Sequence, residues 1–370
     1  MSDGILLRGL DGSNPLAFLA ALGTLRTLTL ALPDERVRMS WEQHDGAWRP
    51  RVHSTIASSD DIAAAIVDTL NDSTQSLGDP AEESRLKKLV VTTKKALKDA
   101  TEKLKERRLR GADLEAARRV EIEPLKQRYE DAKSRWLAAL ATSVPSLELS
   151  LGRDLSASPT HFRSVALRAV SAPQIDRLAS DLLAVFGCEA CFDRKGDRLH
   201  TTPFCFITGS GHQYFLDTAK ALLTCVDKPR VVAALFKDMP FADEKLSMRW
   251  SPIEDRRYAC MWADPTSAGN EPLTSWALNL LAYRGLSLVQ AAPVAHGFAT
   301  AGFIDGAWHW PIWQRAICCD VVRSLLADPD VRSDRSYRAA RGVVECFCSE
   351  RLVVGKPPLH KINFSPARPV

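Results

Sequence analysis

Arg249, Trp250, Arg256, Arg257, Tyr258 and Trp262 interleave guanidinium groups with aromatic rings over fourteen residues. Arginine supplies forked donors suited to phosphate, and an aromatic face can stack an unpaired base for about 1–3 kcal/mol. Two readings stay open. In one, these residues meet a nucleic acid. In the other, the rings face a core and the arginines pair with Glu254, Asp255 and Asp264.

A second cation-rich segment lies upstream. From Pro80 to Arg135 there are 17 Lys+Arg against 11 Asp+Glu, whereas the remaining residues hold 32 basic and 34 acidic, so the net charge of +4 originates in this one stretch. Lys87, Lys88, Lys94, Lys95, Lys98, Arg107, Arg108 and Arg110 are its candidates for phosphate contact, with Lys103 and Lys105 beside them. A salt-bridge-laced, solvated helix pair is the competing reading.

Other chemistries find little support. There is no glycine loop ending in Gly-Lys-Ser/Thr, no GxGxxG and no GxSxG elbow. Cys188-x-x-Cys191 is zinc-like, but Cys318-Cys319 and Cys346-x-Cys348 are wrongly spaced for a second knuckle, so buried free thiols are the simpler reading. His44-Asp45 falls on a hairpin turn, where metal binding is not expected, and Gly209-Ser210-Gly211-His212 reads as a connector. No catalytic residue, metal or cofactor is assigned, and the chain is read as a non-enzyme.

The elements that must position these residues follow from periodicity. Asn14-Pro15 opens a helix with Leu16, Leu19, Leu22 and Leu25 at helical spacing; Trp41 to His53 is a hairpin turning at Asp45-Gly46; Ile56 to Leu70 is an amphipathic helix. Leu86, Val90, Thr93, Leu97, Ala100 and Leu104 recur at spacings of 4, 3, 4, 3 and 4, and Ile122, Leu125, Tyr129, Ala132, Trp136 and Ala139 at 3, 4, 3, 4 and 3. Two heptad helices about a glycine-bearing break predict an antiparallel, coiled-coil-like hairpin with arms of roughly 40 Å, Pro124 restarting the second. Further on, strands are expected at Leu147 to Leu151, Pro203 to Ile207, and as a pair at Leu246 to Trp250 and Tyr258 to Trp262. Helices are expected at Ala172 to Phe186, Gln213 to Cys225, Ser275 to Tyr283 and Cys318 to Leu326, with Trp308, Trp310 and Trp313 in the core and an extended strap from Lys356.

The fold class is therefore mixed α/β (α+β) with an inserted helical hairpin, in three segments: residues 1–79, the arm 80–144, and residues 145–370. Nine cysteines, an odd number, fit a reducing, cytoplasmic setting. The apolar run from Pro15 to Leu32 contains Arg26 and is too interrupted for a membrane span.

Leu10-Asp11-Gly12-Ser13-Asn14-Pro15-Leu16-Ala17-Phe18-Leu19-Ala20-Ala21-Leu22-Gly23-Thr24-Leu25-Arg26 resembles the opening of large-subunit proteins in type I CRISPR surveillance (Cascade) complexes, especially subtype I-G, formerly I-U. Arg249 to Ala259 and Trp310-Pro311-Ile312-Trp313 are similar to two further blocks of that group. The resemblance implies a non-catalytic subunit in antiviral defence that contacts crRNA and double-stranded target DNA, with a separate helicase-nuclease and the other subunits of the complex as partners. It also implies a role in recognising the protospacer-adjacent motif and holding the opened strands, while guide pairing carries sequence. The alternatives are a structural adaptor that docks a partner protein through the heptad arm, and an unrecognised hydrolase or nuclease.

Overall fold

The computed structural model describes residues 4–72, 80–143, 146–153, 155, 157–171, 177–192, 196, 199–207, 214–238, 241–252, 273–294, 297–354 and 361–370. The protein is a mixture of helix and sheet in two compact units, one built from residues 1–72 and 151–370 and the other from 73–150.

The larger unit begins with strand β1 (Ile5–Leu6) and helix α1 (Pro15–Ala31). Asn14 caps α1, its side chain accepting from the amides of Leu16 and Ala17, and Pro15 occupies a first-turn position where a missing N–H costs nothing. From Pro15 to Leu28 every residue is buried, so α1 is an interior helix rather than an amphipathic one. Strands β2 (Arg38–His44) and β3 (Ala47–His53) pair in register from Arg38↔His53 to His44↔Ala47. Their two-residue turn, Asp45-Gly46, has φ of +50° and +74°, which Asp and Gly accept more readily than other residues. β1 completes the sheet in the order β1-β3-β2. Helix α2 (Ser59–Asp72) packs on α1.

The smaller unit holds α3 (Pro80–Glu106), α4 (Gly111–Ala117) and α5 (Glu123–Ser143), with a π-helical turn at Arg118–Ile122 just before Pro124. Proline cannot donate to the preceding turn, and the widened turn accommodates that loss. α3 lies against α5. Leu86, Leu104 and Ala132 are buried, and the other described members of the two heptad series are half-buried.

The chain then re-enters the larger unit as α6 (Pro159–Ser171), α7 (Leu178–Phe186), α8 (Phe215–Cys225), α9 (Lys228–Phe236) and α10 (Trp276–Gly285). α10, capped by Ser275 and buried from Ala277 to Gly285, packs against α1. Two short strands, β4 (Ala291–Val294) and β5 (Gly297–Thr300), form a separate ribbon. β6 (Phe303–Ile304) and β7 (Ala307–Trp313) precede α11 (Cys319–Ala327), α12 (Asp330–Ser333) and α13 (Arg335–Ala340). β8 (Val343–Val354), β9 (Lys361–Phe364) and β10 (Arg368–Pro369) finish a sheet ordered β10-β8-β7-β6, with β9 also paired to β8. The C-terminal strap is thus stitched along β8 by antiparallel pairing.

The core gathers the tryptophans. Phe18 lies 5.6 Å from Trp41, 5.8 Å from Trp308, 5.9 Å from Trp310 and 6.2 Å from Trp313, measured between ring centroids. Trp310 Nε1 donates to the Gly12 carbonyl at 2.8 Å, and Trp313 Nε1 to the Met39 carbonyl at 2.8 Å, so these two buried indoles are satisfied. No helix among the described residues is long and apolar enough to cross a membrane.

Three expected strands are corrected. Leu147–Leu151 is a 3₁₀ helix in which Glu148 and Ser150 are as buried as Leu149 and Leu151, so its alternation has no solvent face to report. Pro203 to Ile207 forms no strand; Phe204 to Ile207 are buried, their rings packed on Trp308 and Phe364 rather than placed in a ladder. Leu246 to Trp250 is not extended: Lys245, Leu246 and Arg249 have φ of +63°, +52° and +63°. There the Asn279 carboxamide accepts from the Met248 amide at 2.8 Å, and the Ser247 hydroxyl accepts from the Arg249 amide at 2.8 Å, replacing strand hydrogen bonds. Tyr258 to Trp262 lies outside the described residues.

Candidate nucleic-acid interface

On α3 the seam Leu86-Val90-Thr93-Leu97-Ala100-Leu104 faces α5, which leaves the lysines on the remaining circumference. At 100° per residue, Lys87, Lys94, Lys98 and Lys105 fall within a strip about 40° wide that runs for roughly 27 Å. Lys88 and Lys95 lie about 90° further round. All six are exposed. Lys98 sits 3.8 Å from Glu102, whereas Lys87, Lys88, Lys94, Lys95 and Lys105 have no ion-pair partner among the described residues. Lysines at i, i+7, i+11 and i+18 present a one-sided row of ammonium groups, suited to a repeating anion.

The connector is less uniform. Arg107 Nη1 is held by Glu121 at 2.6 Å, which reduces its availability to phosphate. Arg108, at φ +51°, and Arg110, which precedes α4, are exposed and free of ion pairs among the described residues.

In the larger unit the structure overturns the stacking role expected of Trp250. Its side chain is fully buried, Nε1 donates to the Phe204 carbonyl at 2.9 Å, and its ring meets Phe204 and Phe215 at 6.5 and 6.1 Å. An indole so enclosed cannot receive a base. Truncation should instead act on stability: Trp250→Ala is expected to cost about 3–5 kcal/mol in urea unfolding, with the nucleic-acid affinity of the remaining folded protein unchanged. A variant of unaltered stability and weakened binding would contradict this placement. Arg249 is half-exposed on its left-handed backbone. Arg256, Arg257 and Tyr258 lie outside the described residues, as do Ser210 and His212.

A cationic face that the sequence reading missed lies on the β2–β3 hairpin. Arg38, Ser40, Glu42 and His44 of β2 stand opposite His53, Arg51, Arg49 and Ala47. Met39, Trp41 and Val52, on the other face, are buried in the core. Glu42 is the acid of this row, bound by Arg51 at 2.7 and 2.9 Å, and the bonded guanidinium holds its carboxyl below the usual range. Arg38 and Arg49 have no ion-pair partner among the described residues. His53 accepts or donates at 2.9 Å to Ser40; burial, then Arg38 and Arg51, push its pKa down. The signal was present as Arg49-x-Arg51-x-His53, every second residue of a strand.

The three sequence blocks singled out above converge in space. Asn14 Nδ2 donates to the Ser251 hydroxyl at 3.1 Å, and Gly12 receives the Trp310 indole at 2.8 Å. Their described parts build one piece of the core.

Other reactive side chains are placed structurally. The Cys191 thiol donates to the Gly297 carbonyl at 3.1 Å, and burial, assisted by Cys188, pushes its pKa up. No group of three metal-ligating side chains occurs among the described residues. His44 Nδ1 contacts the Asp45 carboxylate at 2.9 Å within the hairpin turn. Cys348 and His309, cross-strand partners, approach to 3.5 Å, but burial raises the thiol and lowers the imidazole, which favours the uncharged pair.

The class these features define is a mixed helix-and-sheet protein whose second unit, helical in its described residues, carries a row of four lysines of which three have no ion-pair partner among the described residues. No protein-family model, no curated protein and no solved structure matches this chain.

Proposed function

We propose that the protein binds the phosphate backbone of nucleic acid through the α3 lysines, with the β2–β3 arginine face as a second contact, as a non-catalytic DNA- and crRNA-contacting subunit of a CRISPR surveillance complex. The observation that carries the reading is the row Lys87, Lys94, Lys98 and Lys105, of which three lack an ion-pair partner among the described residues. The resemblance of the Leu10–Arg26 and Arg249–Ala259 blocks to large-subunit proteins supports the particular complex. In this reading α3 and α5 form an antiparallel hairpin projecting the lysines, guide pairing carries sequence, and a separate helicase-nuclease supplies cleavage in the cytoplasm.

The test is binding to a labelled duplex and to guide-length RNA across salt concentration. Each neutralised phosphate adds about 0.9 to the slope of log affinity against log salt, so four to six contacts give a slope of roughly −4 to −5. A flat response, or no binding to either polymer, overturns the reading. Assembly with a partner protein in that case would favour the adaptor.

A further inference from the structure

The larger unit contains a cavity of about 480 Å³ between the end of α1, the chain entering β2 and the start of α11. Arg26, Arg36, Arg177 and Arg323 line it, with Thr29 and Cys318. Three of these guanidinium groups share one carboxylate: Arg26 reaches Asp181 Oδ2 at 3.1 Å, Arg323 contacts the same oxygen, and Arg177 reaches Oδ1 at 3.4 Å. Arg26 has only 9% of its side chain exposed, and its Nε has no hydrogen-bond partner among the described residues. A buried guanidinium N–H left unmatched costs free energy, so the packing around Arg26 is not fully compensated. Asp34, Glu35 and Asp320 also line the cavity, the Glu35 carboxylate being bonded to the Thr55 amide and hydroxyl at 2.6 and 2.7 Å.

Cys318 stands on this wall immediately before α11, a nine-residue helix. Arg36 Nη2 donates to its Sγ at 3.4 Å, the only hydrogen bond that guanidinium makes among the described residues. We infer that the cavity is a thiol-modification site, in which a small anionic disulfide of the glutathione class seats its carboxylates on the arginines and exchanges with Cys318. The Cys318 thiolate attacks one sulfur of the disulfide and a new S–S bond forms. The old S–S bond breaks, and the other half leaves as a thiolate with the electron pair, taking a proton from water.

Two further features agree. Burial pushes the Cys318 thiol up, but the amides of Val321 and Asp320 and the Arg36 guanidinium outweigh it and hold the thiol below its ordinary value. Burial moves Cys191, Cys319, Cys346 and Cys348 the other way. This site is independent of the nucleic-acid reading.

The test is the reaction of the folded full-length protein with dithionitrobenzoate, an anionic disulfide, and with neutral dithiodipyridine. The expected result is a fast phase of one thiol per chain, absent in Cys318→Ser. Arg36→Ala, which alters an exposed side chain and keeps the thiol, should slow the anionic reagent about tenfold and the neutral one less. Inorganic phosphate should slow the wild-type fast phase. With glutathione disulfide, peptide mapping should place the adduct on Cys318. A fast phase that survives Cys318→Ser, equal effects of Arg36→Ala on both reagents, or an adduct mapped to Cys188 or Cys225 would overturn the inference.

Discussion

Gly23→Ala is expected to unfold the larger unit at a markedly lower urea concentration than wild type. α1 and α10 cross with almost no separation at this point. A Cβ at Gly23 would lie 1.7 Å from the Leu281 carbonyl oxygen and 3.0 Å from the Gly285 amide nitrogen, both backbone atoms that no rotamer change can move. The reciprocal position is equally tight, a Cβ at Gly285 falling 2.1 Å from the Leu19 carbonyl oxygen. Alanine favours helix over glycine by about 1 kcal/mol, but overpacking a core costs about 1–3 kcal/mol and more where backbone must shift. We therefore expect a net loss of about 2 kcal/mol or more, read as a lower urea midpoint with unchanged slope. Gly111, where an added Cβ meets nothing within 4 Å, is the comparison for space, although its φ of +57° carries a strain of its own. A Gly23→Ala midpoint at or above wild type would show that the two helices can separate freely, and the central contact of the larger unit would have to be redrawn.

The second large effect concerns binding. Replacing Lys87, Lys94, Lys98 and Lys105 together by alanine is expected to lower duplex affinity roughly a thousandfold at 0.1 M salt and to flatten the salt slope by about 3 to 4. All four are exposed and alanine is a stronger helix former, so the fold should persist. Lys126 and Lys133 serve as the control, since they sit 3.3 and 3.9 Å from Glu123 and Glu130 on their own helix. Their removal should change affinity less, because both are paired with neighbouring acids, whereas in the α3 row only Lys98 is, with Glu102 at 3.8 Å. If the two variants behave alike, general charge rather than the row on α3 governs binding. If neither loses affinity, the lysines are a solvated surface, and the adaptor reading becomes the better one.

How far the sequence spoke depended on whether local physics or long-range packing ruled each segment. The Asn14-Pro15 start, the Asp45-Gly46 turn and the two heptad series were legible because each rests on a rule acting within a few residues: a cap, a positive φ, a repeat of seven. The buried tryptophans at 308, 310 and 313 were legible because large rings on an alternating strand have no cheaper place than a core. Trp250 was not. Its arginine neighbours suggested solvent, but a ring's environment is set by residues far along the chain, here Phe204 and Phe215, and three left-handed residues turn it inward.

The lysine row belonged to the sequence outright, since helical periodicity alone places charges seven and eleven residues apart on one side. The tertiary structure alone decided which cations are compensated, fully or in part. It joined Arg107 to Glu121 across the connector and set three arginines on Asp181. It brought Arg36 to Cys318 over 282 positions of chain. Charge type is written residue by residue, whereas its compensation depends on distance, and distance exists only once the chain has packed.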